Sequence, residues 1–235
     1  TARAQARLNI GYVAQKFSLY QNLTVEENLI FFGGTYGLKK EHLKQRMAEV
    51  KEEFGLLGYE KKISGDLPAG FKQRLSMAVA LLHKPKILFL DEPTSGIDPL
   101  ARRAFWRQIT ALASSGTTII ITTHFMEEAE YCDRIALMRT GEIIALDTPK
   151  NLKKKVFPEK LVEISNLDKA SNVIEELKKD KNILSLLPFG SRYHIILKDI
   201  AANKEFQLKY SHLFNVKEIE PNLEDVFVRL VEGDR

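Results

Sequence analysis

The run Ile87-Leu88-Phe89-Leu90-Asp91-Glu92-Pro93-Thr94 constrains the fold more than any other feature of this chain. Four consecutive apolar residues bounded by a proline-bearing turn read as a buried strand rather than as a helical stripe. A strand without polar alternation has both faces covered, as in a parallel sheet between helices. Two adjacent carboxylates at its C-terminal edge stand where an open α/β sheet offers acidic groups to a ligand. Taken alone the pair has a second reading, a solvated acidic turn, because carboxylates are common in turns.

The flanking segments fit a sheet. Ile10–Ala14 is a short apolar run that ends at Gln15, a strand feeding a loop. Thr24 and Glu27 form a T-x-x-E capping box ahead of a helix over Val25–Phe32, with Gly33, Gly34 and Gly37 punctuating its end. Leu43, Met47, Val50 and Phe54 recur at helical spacing over Glu41–Phe54. The turn-rich Gly65–Gly70 opens a helix whose apolar face includes Leu75, Val79 and Leu82, and Pro85 closes it. A helix over Pro99–Ala113 follows, then a β-branched strand over Thr117–Thr123. Arg134–Arg139 and Glu142–Leu146 read as a hairpin turned at Thr140-Gly141. Strands alternating with helices imply a mostly parallel sheet covered on both faces.

The lysine-rich stretch Lys150–Lys160, with Pro149 and Pro158, reads as a linker, and beyond it the element order changes. Leu161–Ser165 is a strand, Ala170–Lys179 a helix, and Ile183–Leu187 and Tyr193–Lys198 are strands. Helix Lys204–Tyr210, strand Val216–Ile219 and helix Leu223–Val231 complete a small α+β unit of ferredoxin-like order.

Composition excludes several classes. With 235 residues there is room for one sizeable α/β core and a small appended unit. A formal charge of +4 gives little support to nucleic-acid binding. The single cysteine, Cys132, cannot form an internal disulfide, and no Cys/His cluster suits zinc. No apolar stretch approaches the ~20 residues that a membrane helix needs, so a membrane role must come through a partner.

Four segments together carry a resemblance. Val13-Ala14-Gln15, the stretch Asp91-Glu92-Pro93-Thr94-Ser95-Gly96-Ile97-Asp98-Pro99, and the strand ending Thr122-Thr123-His124 occur in the order and spacing of the ABC ATPase family. The match covers nearly all of residues 8–150. The resemblance implies an α/β fold: a P-loop NTPase-like domain over residues 1–150 with a parallel sheet and a helical subdomain at about residues 20–82. A linker (151–160) and a C-terminal α+β domain (161–235) follow. It also implies ATP and Mg²⁺ as ligands. Gln15 is then the Q-loop glutamine, Asp91 the metal-holding aspartate acting with Gln15, Glu92 the catalytic carboxylate and His124 the switch histidine that contacts the γ-phosphate. Asp98 lies in the D-loop. Each also has an ordinary reading: a surface glutamine, a hydrogen-bonded histidine, and for Asp98 a helix N-cap.

Leu67-Pro68-Ala69-Gly70-Phe71 occupies the place of the family signature, normally Leu-Ser-Gly-Gly-Gln, which binds the γ-phosphate held by an opposite subunit. Leu67 and Gly70 match. Pro68, Ala69 and Phe71 depart from it, and Pro68 brings neither a hydroxyl nor a backbone N–H. The downstream Lys72-Gln73-Arg74-Leu75-Ser76 matches well. The departures motivate the expectation that Glu92 serves a competent site while the site this chain completes for a partner hydrolyses poorly. No Gly-Lys pair occurs anywhere in the sequence, so the phosphate-gripping G-x-x-x-x-G-K-[ST] loop is missing from it. By resemblance that loop belongs N-terminal to the Q-loop, and the expectation is an N-terminally truncated domain that binds ATP negligibly alone.

Residues 15–29 and the tail Asn222-Leu223-Glu224-Asp225-Val226-Phe227-Val228 resemble ABC-2, drug-resistance-like exporters. The implied partners are a transmembrane permease and a second ATPase subunit or half in a head-to-tail dimer, with no nucleic acid. The implied location is the cytoplasmic face of the cell membrane. Phe17, Leu19 and Tyr20 offer apolar anchors for the permease, or are ordinary core residues of the helical subdomain. Two rivals stand beside this reading: a soluble ABC-type ATPase acting on the ribosome or nucleic acid, and a non-catalytic interaction subunit.

Overall fold

Parallel pairing of three strands puts every strand-end residue singled out above at one edge. β1 (Ile10–Val13), β2 (Ile87–Asp91) and β3 (Thr118–Thr122) lie side by side in that order in the computed structural model, which describes residues 6–158, 160–165 and 171–232. Val13 pairs with Leu90, and Asp91 with Thr122. The central strand is the buried one: Leu88 and Leu90 are sealed from solvent. β3 departs from the expected two-sided cover. It forms the sheet's edge, and its Ile120 is 47% exposed.

The chain contacts cluster into two units, Thr1–His124 and Phe125–Arg235. In the first, α1 (Val25–Thr35), α2 (Lys40–Glu53) and α3 (Ala69–Leu81) fill the span between β1 and β2. The α1 capping box is complete: Glu27 N–H donates to Thr24 Oγ1 at 3.1 Å, and Thr24 N–H to Glu27 Oε2 at 2.8 Å. Such a cap stabilises by about 1 kcal/mol. The helix runs past Phe32, however, with Gly33 and Gly34 inside it. A β-carbon at Gly33 would meet Leu43 Cδ1, so this glycine leaves room for the Leu43 side chain of α2 against α1. Termination falls to Gly37, at φ 77°.

Val25, Leu29, Val50, Phe54, Leu56, Leu75 and Leu82 form the sealed interior of these helices. Each such side chain contributes about 1.5–3 kcal/mol on burial. The buried Arg46 caps α3 from outside it, donating from Nε to Leu82 O at 3.0 Å and from Nη2 to Leu81 O at 2.9 Å. A cation satisfying the last carbonyls of a helix also complements its dipole. α4 (Pro99–Ser114) buries Phe105, Trp106 and Ile109 on one face.

In the second unit a short α5 (Met126–Ala129) precedes the hairpin β4 (Ile135–Arg139) and β5 (Glu142–Asp147). Thr140 and Gly141 both take positive φ (48° and 87°), as a two-residue hairpin turn demands. The expected linker is instead a helix, α6 (Pro149–Val156). Pro149 starts it rather than breaking it, because the first helical position needs no N–H. Thr148 Oγ1 accepts from Asn151 N–H, and the lysines find partners: Lys153 on Glu130 and Lys155 on Asp147, both at 2.6 Å. Leu152 is buried with Ile135, Leu137, Phe157, Leu161, Ile196, Leu223 and Val226. The hairpin, placed with the ATPase part by sequence, thus shares a core with the C-terminal elements.

Those elements are β6 (Lys160–Ser165), α7 (Ser171–Leu177), β7 (Ile183–Phe189), β8 (Arg192–Leu197), α8 (Ile200–Tyr210), β9 (Asn215–Ile219) and α9 (Leu223–Glu232). The expected start of the first of these helices, Ala170, lies outside the described residues. The sheet order β7-β8-β6-β9, antiparallel throughout, is the ferredoxin-like arrangement. Val162, Ile164, Ile195, Leu197, Phe206 and Tyr210 make the core on one side. His194 of β8 and Asp225 of α9 are both buried and joined Nδ1 to Oδ1 at 2.6 Å, with Glu163 Oε2 3.5 Å from His194 Nε2.

Candidate functional site

β2 ends by delivering Asp91 and Glu92 in opposite senses. Asp91 is still in the ladder, opposite Thr122. Glu92 leaves it in the left-handed region at φ 42°, a conformation costing a non-glycine residue roughly 1 kcal/mol. The turn is held from β3: Glu92 N–H donates to the Thr122 carbonyl at 3.0 Å and lies 3.2 Å from the Thr122 hydroxyl. That hydroxyl donates to Asp91 Oδ1 at 2.5 Å. After Glu92 the chain tightens through Ser95 N–H to Glu92 O at 3.1 Å, with Thr94 buried beneath it.

Glu92 is where the segments converge. Gln15 Nε2 donates to Glu92 Oε2 at 2.6 Å, and His124 Nδ1 lies 3.1 Å from the same oxygen. Gln15 follows β1, Glu92 follows β2 and His124 follows β3, so the parallel sheet alone brings the three together. The Gln15 amide donates to Oε2 and the His124 ring lies within ion-pair distance of it, while Oε1 takes no hydrogen bond from the described residues. Because a carboxylate takes only donors, the Gln15 amide oxygen faces away from Glu92. Asp91 Oδ2 likewise has no partner among the described residues.

These oxygens suit a hard cation. Mg²⁺ takes one or two protein oxygens, completing its shell with water and phosphate oxygens. Asp91 Oδ2 and the Gln15 amide oxygen are of the chemical type such a cation takes. Among the described residues no cluster of three His, Cys, Asp or Glu side chains suits a fully protein-ligated metal.

The remaining expected residues lie elsewhere in the unit. Asp98 is the N-cap of α4, its Oδ1 accepting from Leu100 and Ala101 N–H at 3.0 Å each. Leu67 is buried, and Pro68, Ala69, Gly70 and Phe71 form the start of α3, with Pro68 as an N-cap that makes no side-chain cap. The Phe71 ring packs at 4.3 Å on Tyr59, with the Arg74 guanidinium 5.0 Å from its centroid. Ala69 and Gly70 N–H point out of the helix start, as orphan donors suited to an anion. No hydrogen bond joins Leu67–Phe71 to Gln15, Glu92 or His124 among the described residues.

Of the three proposed anchors, Phe17 and Leu19 are half-buried, while Tyr20 is 47% exposed and meets Phe31 edge-on at 4.8 Å. Sequence reasoning missed what fixes this loop. Asn28, fully buried, donates from Nδ2 to Tyr20 O and Thr24 O at 3.0 Å each and to Ser64 Oγ at 3.2 Å, while Tyr20 N–H donates to its Oδ1 at 3.1 Å. Ser64 Oγ donates to Tyr20 O at 2.8 Å. The loop after Gln15 is thereby tied to the segment that leads into Leu67–Phe71. An asparagine inside a helix, where it is a weak former, was the available signal.

A profile described as "ABC transporter" matches residues 1–95. The probable multidrug ABC transporter ATP-binding protein YbhF of Escherichia coli (strain K12) is 54% identical over 149 residues, covering 63% of this chain and 26% of that protein. The chain thus spans about a quarter of the YbhF proteins that it matches. The linearmycin resistance ATP-binding protein LnrL of Bacillus subtilis (strain 168) is 33% identical over 97% of this chain and 76% of its own length. The Nod factor export ATP-binding protein I of Burkholderia orbicola (strain AU 1054) is 35% identical over 96% and 73%. Among solved structures, one titled "Structure of ATP binding subunit of ABC transporter" superposes with a TM-score of 0.59 at 28% identity, covering 65% of this chain and 64% of that one.

Proposed function

The chain belongs to the ATP-binding proteins of ABC transporters, and from that premise we propose that it binds and hydrolyses ATP to power export through a membrane-embedded partner. The observation that supports this best is the convergence of Gln15 and His124 on one oxygen of Glu92. The Gln15 amide restrains Oε2 beside the His124 ring, and Oε1 is left to orient the attacking water. Water adds to the γ-phosphorus, the bond to the bridging oxygen breaks, and ADP leaves. His124 contacts the γ-phosphate in this scheme. Asp91 and Gln15 would hold Mg²⁺, which when bound would supply positive charge to offset that of the phosphates.

Residues 1–235 contain no Gly-Lys pair to grip phosphate, so the activity is proposed for the complete protein and not for these residues alone. Asp98 and Leu67–Phe71 face the nucleotide of a second ATPase subunit or half, head to tail. By family resemblance the ATPase part runs to about residue 150, although its last hairpin shares a core with the C-terminal α+β domain (161–235). Export, rather than uptake, is supported by the multidrug, linearmycin-resistance and Nod-factor-export names of the relatives.

The permease partner docks against the exposed aromatic face around Tyr20 and Phe31, next to the Gln15 loop. No helix among the described residues is long and apolar enough to cross a membrane, and attachment to the cytoplasmic face is proposed to run through that partner. The test is co-purification of the complete protein from detergent-solubilised membranes. Recovery with an integral membrane protein and Mg²⁺-dependent ATP hydrolysis is expected. Recovery with ribosomes instead would overturn the proposal.

A further inference from the structure

We infer that Thr122 is a positioning residue of the hydrolytic site, acting through Asp91 and Glu92 together; this rests on the nucleotide-hydrolysing role proposed above. Thr122 is the last residue of β3, and parallel register sets it directly opposite Asp91. Three interactions leave this one residue. Its hydroxyl donates to Asp91 Oδ1 at 2.5 Å, its carbonyl accepts from Glu92 N–H at 3.0 Å, and the same hydroxyl oxygen lies 3.2 Å from that N–H.

The geometry divides the work between the two acids. With Oδ1 occupied, Asp91 cannot spin about its last torsion without breaking a charge-assisted bond, so Oδ2 keeps a fixed direction in which it would hold a cation. Glu92 meanwhile sits at φ 42°, a strained conformation that persists only if its surroundings enforce it. Its N–H turned back onto Thr122 provides that enforcement, and so aims the carboxylate at Gln15 and His124. Any residue supplies the carbonyl, but only serine or threonine supplies the hydroxyl that links both acids. Valine keeps the volume and the β-branch while removing that oxygen.

The test uses the complete protein assembled with its membrane partner and compares Thr122→Val, Thr122→Ser and Glu92→Gln. Thr122→Val is expected to raise the half-saturating Mg²⁺ concentration several-fold and to lower kcat about tenfold, the scale of one lost hydrogen bond at a charged group. ATP binding measured in EDTA should stay unchanged, because no metal is then held. Thr122→Ser should return both quantities to within about threefold of the parent, since the hydroxyl is restored. Thr122→Val with parental Mg²⁺ dependence and kcat would overturn the inference. So would Thr122→Ser as impaired as Thr122→Val, which would make the role one of packing. Glu92→Gln separates the two levels: full hydrolysis by that variant refutes the hydrolytic site itself, whereas its loss alongside an unaffected Thr122→Val refutes only the positioning role.

Discussion

Gln15 and Glu92, 77 positions apart in sequence, meet at 2.6 Å because β1 and β2 are parallel neighbours that end at the same level. The amide donates to the carboxylate, so the two side chains behave as one unit. Gln15→Ala should lower kcat about tenfold by releasing Glu92 Oε2. Gln15→Glu should be worse at pH 7, since it sets a second carboxylate at hydrogen-bond distance from the first and forces the pair to share a proton. Steady-state phosphate release from the complete protein measures both, and equal rates for the two variants would contradict this electrostatic coupling.

Asn28 should matter to the same loop without touching nucleotide. Replacing it with alanine leaves the Tyr20 N–H without its acceptor and removes a buried donor from Tyr20 O, Thr24 O and Ser64 Oγ, at about 2–3 kcal/mol for the group. Amide hydrogen exchange across Val25–Thr35 should accelerate by roughly 30- to 150-fold in Asn28→Ala, reporting local opening. Unchanged protection would show that the buried network contributes little.

The start of α3 allows activity to be separated from stability. Pro68→Ser adds a capping hydroxyl worth about 1 kcal/mol and gives back about 0.4–1 kcal/mol of chain entropy, leaving stability nearly level. Phe71→Gln, in contrast, removes a ring packed on Tyr59 and Arg74, at about 1–2 kcal/mol. If the altered signature limits hydrolysis across the dimer, the Pro68→Ser/Phe71→Gln double variant should hydrolyse ATP several-fold faster despite its lower melting temperature. A rate no higher than the parent would remove the signature as the limiting element.

The C-terminal unit carries a pH dependence of its own. Burial pushes His194 down, but the hydrogen bond and charge of Asp225 outweigh it, with Glu163 in support, and the imidazole titrates above its ordinary value. Arg192 faces the same cluster through Glu163 at 2.8 Å, and the Phe189 ring stacks on the imidazole at 4.3 Å. A raised folded-state pKa means stability fully present below about pH 6.5 and lost as pH rises through the folded value. The melting temperature of the parent should therefore fall above neutrality. His194→Gln should flatten that slope and cost about 3 kcal/mol at acid pH, as expected when a buried pair loses one partner. A slope unchanged by the substitution would place the titration elsewhere.

The strand ends were legible because apolar runs and the residues just after them carry a strong signal. Ile87–Leu90 specified a buried central strand, and Gln15, Glu92 and His124 all proved to follow parallel strands. The role of Thr122 is not legible in the sequence, because a threonine in a β-branched run reads as strand propensity, and only the register to Asp91 reveals its hydroxyl's partner. Lys150–Lys160 misled for a related reason. Its composition suggested a solvated spacer, while Thr148, Pro149 and Leu152 held the cap, first turn and buried face of a helix. Gly33 looked like a helix stop and was a packing contact, since a glycine's meaning depends on the neighbour opposite.

The most direct measurement of the central proposal is phosphate release by Glu92→Gln in the complete, membrane-assembled protein. Glutamine keeps the side-chain size but loses the carboxylate that orients the attacking water. Turnover should fall at least about a hundredfold while Mg²⁺-dependent ATP binding stays within about twofold. Turnover near the parental rate, with ATP still bound, would contradict the hydrolytic role assigned to Glu92.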